Sequence, residues 1–333
     1  MREHDSLYSW TRLLIALLLA TVGNIGMWVV VIVLPDIQQE FKIDRGTASI
    51  PFALTMVGFA IGNWVMGHVV DRYGITKTII LAATVNTAGY IAAMYVNNVY
   101  SLSILQFFIG LGTAAAFGPL IADTSHWFLK RRGIAVALIA SGNYFSGAIW
   151  PPLFNSTLQS DGWRDVYWIL ALSTVFIMIP LSFLLTKKIS EETARISDAA
   201  SSDKRQNVSI SPKALTILLS IAGIGCCVAM SMPQVHIVAF CIDLGFGPAV
   251  GAEMLSLMLI GGIISRLING ILADKLGGVY TLLIGSTLQC IALFLYLPFD
   301  GLVSLYIVSL VFGLSQGGIV PSYAIIIREY LPG

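Results

Sequence analysis

The chain has 333 residues and a net charge of +1; 56% of its residues are apolar and only 11% are Asp, Glu, Lys or Arg. Soluble domains carry about 25% charged residues, so this chain has too few to coat a water-facing surface of its size. The near-neutral balance leaves no basic footprint for nucleic acid. Cys226, Cys227, Cys241 and Cys290 form no C-x-x-C pair, which points to packing rather than metal or redox work.

In chain order, hydropathy predicts membrane-spanning helices near 13–34, 49–70, 77–96, 101–122, 134–155, 166–186, 214–240, 250–272, 279–298 and 302–326. The first run is too long for the apolar stretch of a signal peptide, and its leader holds Glu3 and Asp5 beside Arg2 and Arg12. Between the sixth and seventh spans lies one long polar segment, 187–213, with Glu191, Glu192, Asp198, Asp203 and a serine cluster. It reads as a cytoplasmic linker between an N-terminal bundle of six helices (1–186) and a C-terminal bundle of four (214–333). Arg2, Arg12, Arg72, Lys77, Lys130, Arg131, Arg132, the basic residues of the linker, Lys275 and Arg328 fall on one side of the bilayer. Only Lys42, Arg45 and Arg164 fall on the other. The positive-inside rule then puts the N-terminus in the cytoplasm and the protein in the cytoplasmic (inner) membrane, as an all-α multi-pass protein.

Spans two and eight end in the same phrase. Gly67-His-Val-Val-Asp71-Arg72-Tyr-Gly74 closes one, and Gly270-Ile-Leu-Ala-Asp274-Lys275-Leu-Gly277 closes the other. A repeat of this kind predicts two related halves, the architecture of a transporter. The glycines are expected to admit a neighbouring helix. Each Asp is suited to capping a helix N-terminus, and Arg72 or Lys275 to bridging that Asp or a phospholipid. Such contacts would hold a cytoplasmic gate closed.

Arg266 sits inside span eight, thirteen residues after Glu253 and eight before Asp274. At 1.5 Å per residue these lie roughly 20 Å and 12 Å away along the axis. An arginine at this depth costs about 2.5–3.5 kcal/mol on insertion scales, and no Asp or Glu occupies the middle of any predicted span. Three things can offset that cost: an anionic substrate, an outward reach to the headgroups, or backbone carbonyls of a neighbouring helix. Gly262, Arg266 and Gly270 share a face with Ser265 and Asn269, opposite Ile260, Ile264, Leu267 and Ile271. That pattern suits a helix lining a polar pathway, and equally close helix packing.

Glycine- and proline-interrupted stretches occur in span five, Ser141-Gly142-Asn143-Tyr144 then Trp150-Pro151-Pro152, and in span ten, from Gly313 to Tyr323. Asn143, Tyr144, Gln316 and Tyr323 can hydrogen-bond a carboxylate there, or one another. In span seven Pro233 is expected to break the helix, next to His236, a candidate for a coupling proton or a plain interfacial histidine. The sequence contains no H-E-x-x-H or Walker loop, and neither catalysis nor a bound metal or cofactor is expected.

The phrase Gly67–Gly74 resembles the loop signature of the major facilitator superfamily, and Gly270–Gly277 its echo. Lys130-Arg131-Arg132-Gly133-Ile-Ala-Val-Ala and Ile264-Ser265-Arg266-Leu267 resemble the bacterial monocarboxylate and oxalate/formate transporter groups. The resemblance implies a two-bundle fold of twelve spans, of which ten are visible, so a truncated sequence is expected. It also gives Arg266 the role of substrate anchor. The acidic residue these relatives often carry one turn before that arginine is Gly262 here, and span one has no lysine. The expected function is secondary transport of a small organic anion by alternating access, as proton symport or anion exchange. Drug efflux and a non-transporting sensor or scaffold are the alternatives.

Overall fold

The computed structural model describes residues 4–190 and 210–331. Most of the predicted linker therefore lies outside the described residues. Within them the chain forms helices joined by short turns, with no strand. Nine helical stretches are long and apolar enough to cross a bilayer. The remaining predicted span, 77–96, is the helix Ile75–Ala93 of 19 residues, diluted by Lys77, Asn86 and several threonines.

The helices start and stop where side-chain chemistry requires. Asn98 caps Val99–Thr113 by accepting from Ser101 N at 2.8 Å. Ser211 caps Pro212–Asp243, accepting from Ala214 N at 3.3 Å with Pro212 in the first turn. The repeated phrase folds the same way twice. Gly74 and Gly277 have φ of 82° and 84°, a region only glycine enters without strain. Each closes its helix on the carbonyl four residues back, Val70 at 2.8 Å and Ala273 at 2.9 Å. Thr78 and Thr281 then donate to the two glycine carbonyls, both at 2.9 Å.

The chain divides into two compact units. One comprises 7–124 and 145–188. Its tightest packing joins Ile50–Tyr73 to Val99–Thr113, where a Cβ at Gly110 would lie 2.9 Å from the Thr55 carbonyl carbon. Beside that seam Gln106 Nε2 donates to the Tyr167 hydroxyl at 2.5 Å, and Thr55 Oγ1 to Gln106 Oε1 at 3.1 Å. Arg12, only 3% exposed, pairs with Asp123 at 2.9 Å and donates to the Leu185 and Lys187 carbonyls at 3.0 and 3.1 Å. One side chain thus gathers three segments of the unit.

The other unit groups 4–6 and 125–144 with the C-terminal residues. Its apolar centre is Ile237, Cys241, Met254, Met258, Ala292, Leu305 and Phe312. The stretch 125–144, from the end of span four and the first half of span five, packs through helix Arg132–Ala140 against Pro248–Leu276 and Ile319–Tyr330. Pro233 does not break its helix, contrary to expectation: Pro212–Asp243 runs through it. One missing N–H is tolerated inside a long helix when the flanking turns stay bonded.

Candidate substrate site

Arg266 lies on helix Pro248–Leu276, is 2% exposed and turns its head group into the protein. Its Nε donates to the Gly317 carbonyl at 3.2 Å and its Nη1 to the Ala140 carbonyl. Both acceptors are set up by the sequence. Ala140 ends helix Arg132–Ala140, and the last carbonyls of a helix lack intrahelical donors. Gly317 follows helix Leu302–Gln316, and the residue four positions on is Pro321, which has no N–H to give. The guanidinium carbon stands 3.6 Å above the centroid of the Tyr144 ring, a close cation–π stack. Of the offsets weighed from sequence, this conformation uses backbone carbonyls, and it adds an aromatic face that the sequence reading did not consider. No carboxylate pairs with Arg266 among the described residues.

Gly262 explains one departure from the resembling groups. A Cβ there would meet Tyr144 Cε2 at 2.7 Å, so the ring that supports Arg266 excludes any side chain at the position where those relatives carry an acid. Gln316 is fully buried, with Oε1 accepting from Gln234 Nε2 at 3.1 Å. Its Nε2 and the Tyr144 hydroxyl are buried without hydrogen-bond partners. Gln234, not singled out from sequence, thereby joins the set. Tyr323 and Asn143 are half-buried. His236 is exposed and makes no hydrogen bond among the described residues, so it stands apart from this cluster.

The two copies of the repeated phrase differ in surroundings. Asp274 caps helix Arg132–Ala140, accepting from Gly133 N at 2.5 Å and Ile134 N at 3.1 Å. Gly270 permits this: a Cβ there would lie 2.7 Å from Ala137 Cβ and 2.9 Å from Ile134 Cα. Asp5, missed from sequence, accepts from the preceding amides, Leu129 N, Lys130 N and Arg131 N, at 3.2, 3.0 and 3.1 Å. A cavity of about 260 Å³ lies here, lined by Lys130, Arg132, Asp274, Lys275 and Glu329 among others. In the first copy nothing among the described residues lies within 4 Å of a Cβ at Gly67, so the expected close packing is not seen there. Asp71 is exposed without a hydrogen bond among the described residues, and Arg72 stacks 5.4 Å over its neighbour Tyr73. The expected Asp71–Arg72 and Asp274–Lys275 bridges are absent among the described residues, because both cations are exposed and free to stay hydrated.

The sequence profile of the Major Facilitator Superfamily matches residues 16–333. The chain belongs to the major facilitator superfamily. It is similar to monocarboxylate transporter 13 of Rattus norvegicus, 25% identical over 320 residues, covering 94% of this chain and 72% of that protein. It is also similar to MFS-type transporter 1 of an Ophiocordyceps species, 22% identical, covering 85% of this chain and 63% of that protein. The agnestins efflux protein AgnL12 of Paecilomyces divaricatus is 23% identical, covering 85% of this chain and 64% of its own length. Among solved structures, a double-tryptophan mutant of XylE superposes with a TM-score of 0.72 at 14% identity, over 96% of this chain and 82% of that one. The chain is therefore a multi-pass, all-α membrane protein with this superfamily's fold, and it spans 63–72% of the length of the first two relatives named.

Proposed function

We propose that the protein carries a small organic anion across the cytoplasmic membrane by alternating access, and that Arg266 holds the substrate carboxylate. The observation that carries this reading is a buried guanidinium with no protein carboxylate among the described residues, resting on two carbonyls and a ring. Carbonyls are weak substitutes for an anion: they offer the guanidinium only a dipole, whereas a carboxylate brings a full opposite charge and can take two parallel N–H bonds. An entering carboxylate therefore outcompetes them, and Tyr144 keeps the guanidinium plane in place during the exchange. Gln316, Asn143 and Tyr323 supply further hydrogen-bonding groups. The Asp274 cap on helix Arg132–Ala140 acts as a cytoplasmic latch, with Gly270, Lys275 and Gly277 beside it and Gly67, Asp71, Arg72 and Gly74 as its counterpart. Coupling is by proton symport, with His236 as the coupling residue, or by anion exchange. The N-terminus faces the cytoplasm, in keeping with the distribution of Lys and Arg.

The likeness to monocarboxylate transporter 13 supports the anion reading. The likeness to an agnestins efflux protein supports a second one, efflux of a larger organic product, in which Arg266 is a fixed staple between the ends of two helices. Uptake of radiolabelled small monocarboxylates into proteoliposomes separates the two. Under the anion reading Arg266→Ala lowers uptake more than about 30-fold, in line with the loss of a buried charge pair, while folded protein is still recovered. Anion uptake that survives this substitution overturns the assignment.

A further inference from the structure

Two residues of helix Pro248–Leu276 grip opposite ends of one short helix. Asp274 accepts from Gly133 N and Ile134 N at the start of Arg132–Ala140, at 2.5 and 3.1 Å, and Arg266 Nη1 donates to the Ala140 carbonyl at its end. The spacings match. Arg266 and Asp274 are eight residues apart, about 12 Å along their helix, and Gly133 and Ala140 are seven apart, about 10 Å along theirs. Between the two grips Gly270 lies against Ile134 and Ala137 with no room for a Cβ. The charges also suit the helix they hold, an anion at its N–H end and a cation at its carbonyl end. All of these residues belong to one compact unit.

The anchor and the latch of the anion reading above thus bear on the same nine residues. A helix C-terminus carries about half a negative charge, and a substrate carboxylate brings a full one to the same cation. Each two-pronged edge of the guanidinium includes a nitrogen that already donates, Nε to Gly317 or Nη1 to Ala140. Arg266 is 2% exposed, so little water screens one negative group from the other. We infer that the Ala140 end of helix Arg132–Ala140 is a built-in competitor for the substrate, so that anion binding at Arg266 and the Asp274 latch oppose each other through that helix. The arriving carboxylate loosens one end and leaves Asp274 to hold the other alone. Such linkage is reciprocal: whatever releases the latch tightens anion binding.

Equilibrium binding of radiolabelled acetate, lactate and pyruvate to the purified full chain tests this. For an acid that binds, Asp274→Ala lowers Kd about fivefold, the worth of one helix cap, while the melting temperature falls. A purely structural role for Asp274 would weaken binding and stability together. Asp5→Ala is the control. It takes the acceptor from the 129–131 amides without touching helix Pro248–Leu276, so it melts lower and leaves Kd within about twofold of wild type. If Asp274→Ala is not recovered folded, Asp274→Asn carries the test, with a shift in the same direction. In the wild type, saturating acid speeds hydrogen exchange at the Gly133 and Ile134 amides and leaves 129–131 unchanged. Unchanged or weaker binding in the Asp274 variant, an equal gain in Asp5→Ala, or exchange at 133 and 134 that ignores the acid overturns the inference and leaves the anchor standing. Binding of none of the three acids, or binding that survives Arg266→Ala, overturns the anchor, and the inference falls with it.

Discussion

The two copies of G-x-x-x-D-[R/K]-x-G share one backbone and differ in what surrounds it. Gly74 and Gly277 turn at φ of 82° and 84°, with the same helix-closing bond and the same threonine bond behind it. Yet Asp274 holds two amides of helix Arg132–Ala140, while Asp71 is exposed and bonded to nothing among the described residues. Gly270 is pressed against Ile134 and Ala137, whereas Gly67 has no neighbour within 4 Å of a Cβ among the described residues. The phrase itself therefore encodes the turn. Whether its carboxylate latches depends on a helix N-terminus arriving from elsewhere in the chain.

That distinction can be broken in three ways, taken from the largest expected effect down. Gly270→Val drives two methyls into Ala137 and Ile134, and overpacking of this kind costs about 3 kcal/mol. Gly67→Val meets nothing, so its melting temperature in detergent stays close to wild type. Equal shifts for the two would abolish the difference in packing. Gly74→Ala and Gly277→Ala test the shared part. Both force a Cβ into a glycine-only conformation at about 2 kcal/mol each, so the two variants melt lower by similar amounts; a clear inequality would mean the turns are not equivalent. Asp274→Ala removes a cap worth about 1 kcal/mol, whereas Asp71→Ala stays within about 0.5 kcal/mol of wild type, as exposed substitutions do. Urea titration of purified protein checks both.

A milder test lies outside the phrase. Arg164 holds the Glu40 carboxyl below its ordinary range through a 2.6 Å bond, with Trp163 Nε1 donating to the same oxygen at 2.6 Å. A depressed pKa in the folded state contributes stability above the unfolded value and loses it as pH falls through the folded one. The melting temperature therefore declines on acidification below the ordinary glutamate range, and less so in Glu40→Gln. The pair is half exposed, so the effect is small.

Much of this was legible in the sequence, for definite reasons. Spans announce themselves by length and apolarity, and Ile75–Ala93 was found although Lys77 and Asn86 dilute it. Arg266 was conspicuous as a lone charge in an apolar run. What holds it was not: the Ala140 and Gly317 carbonyls are backbone groups, and only Pro321, four residues past Gly317, left a trace. Pairs distant in sequence left none. Arg12 and Asp123 each looked like an ordinary span-end charge, and nothing in the composition tied Asp5 to the 129–131 amides. Pro233 misled in the opposite direction, since a proline signals a break that a long helix can absorb.

Asp5 carries a practical consequence. It sits at φ 53°, anchored by its own N–H to the Trp127 carbonyl at 3.1 Å, with its carboxylate buttoned to three successive amides. Removing that carboxylate leaves three successive amides without their acceptor, so residues 4–6 belong to that unit's framework and are not a loose end.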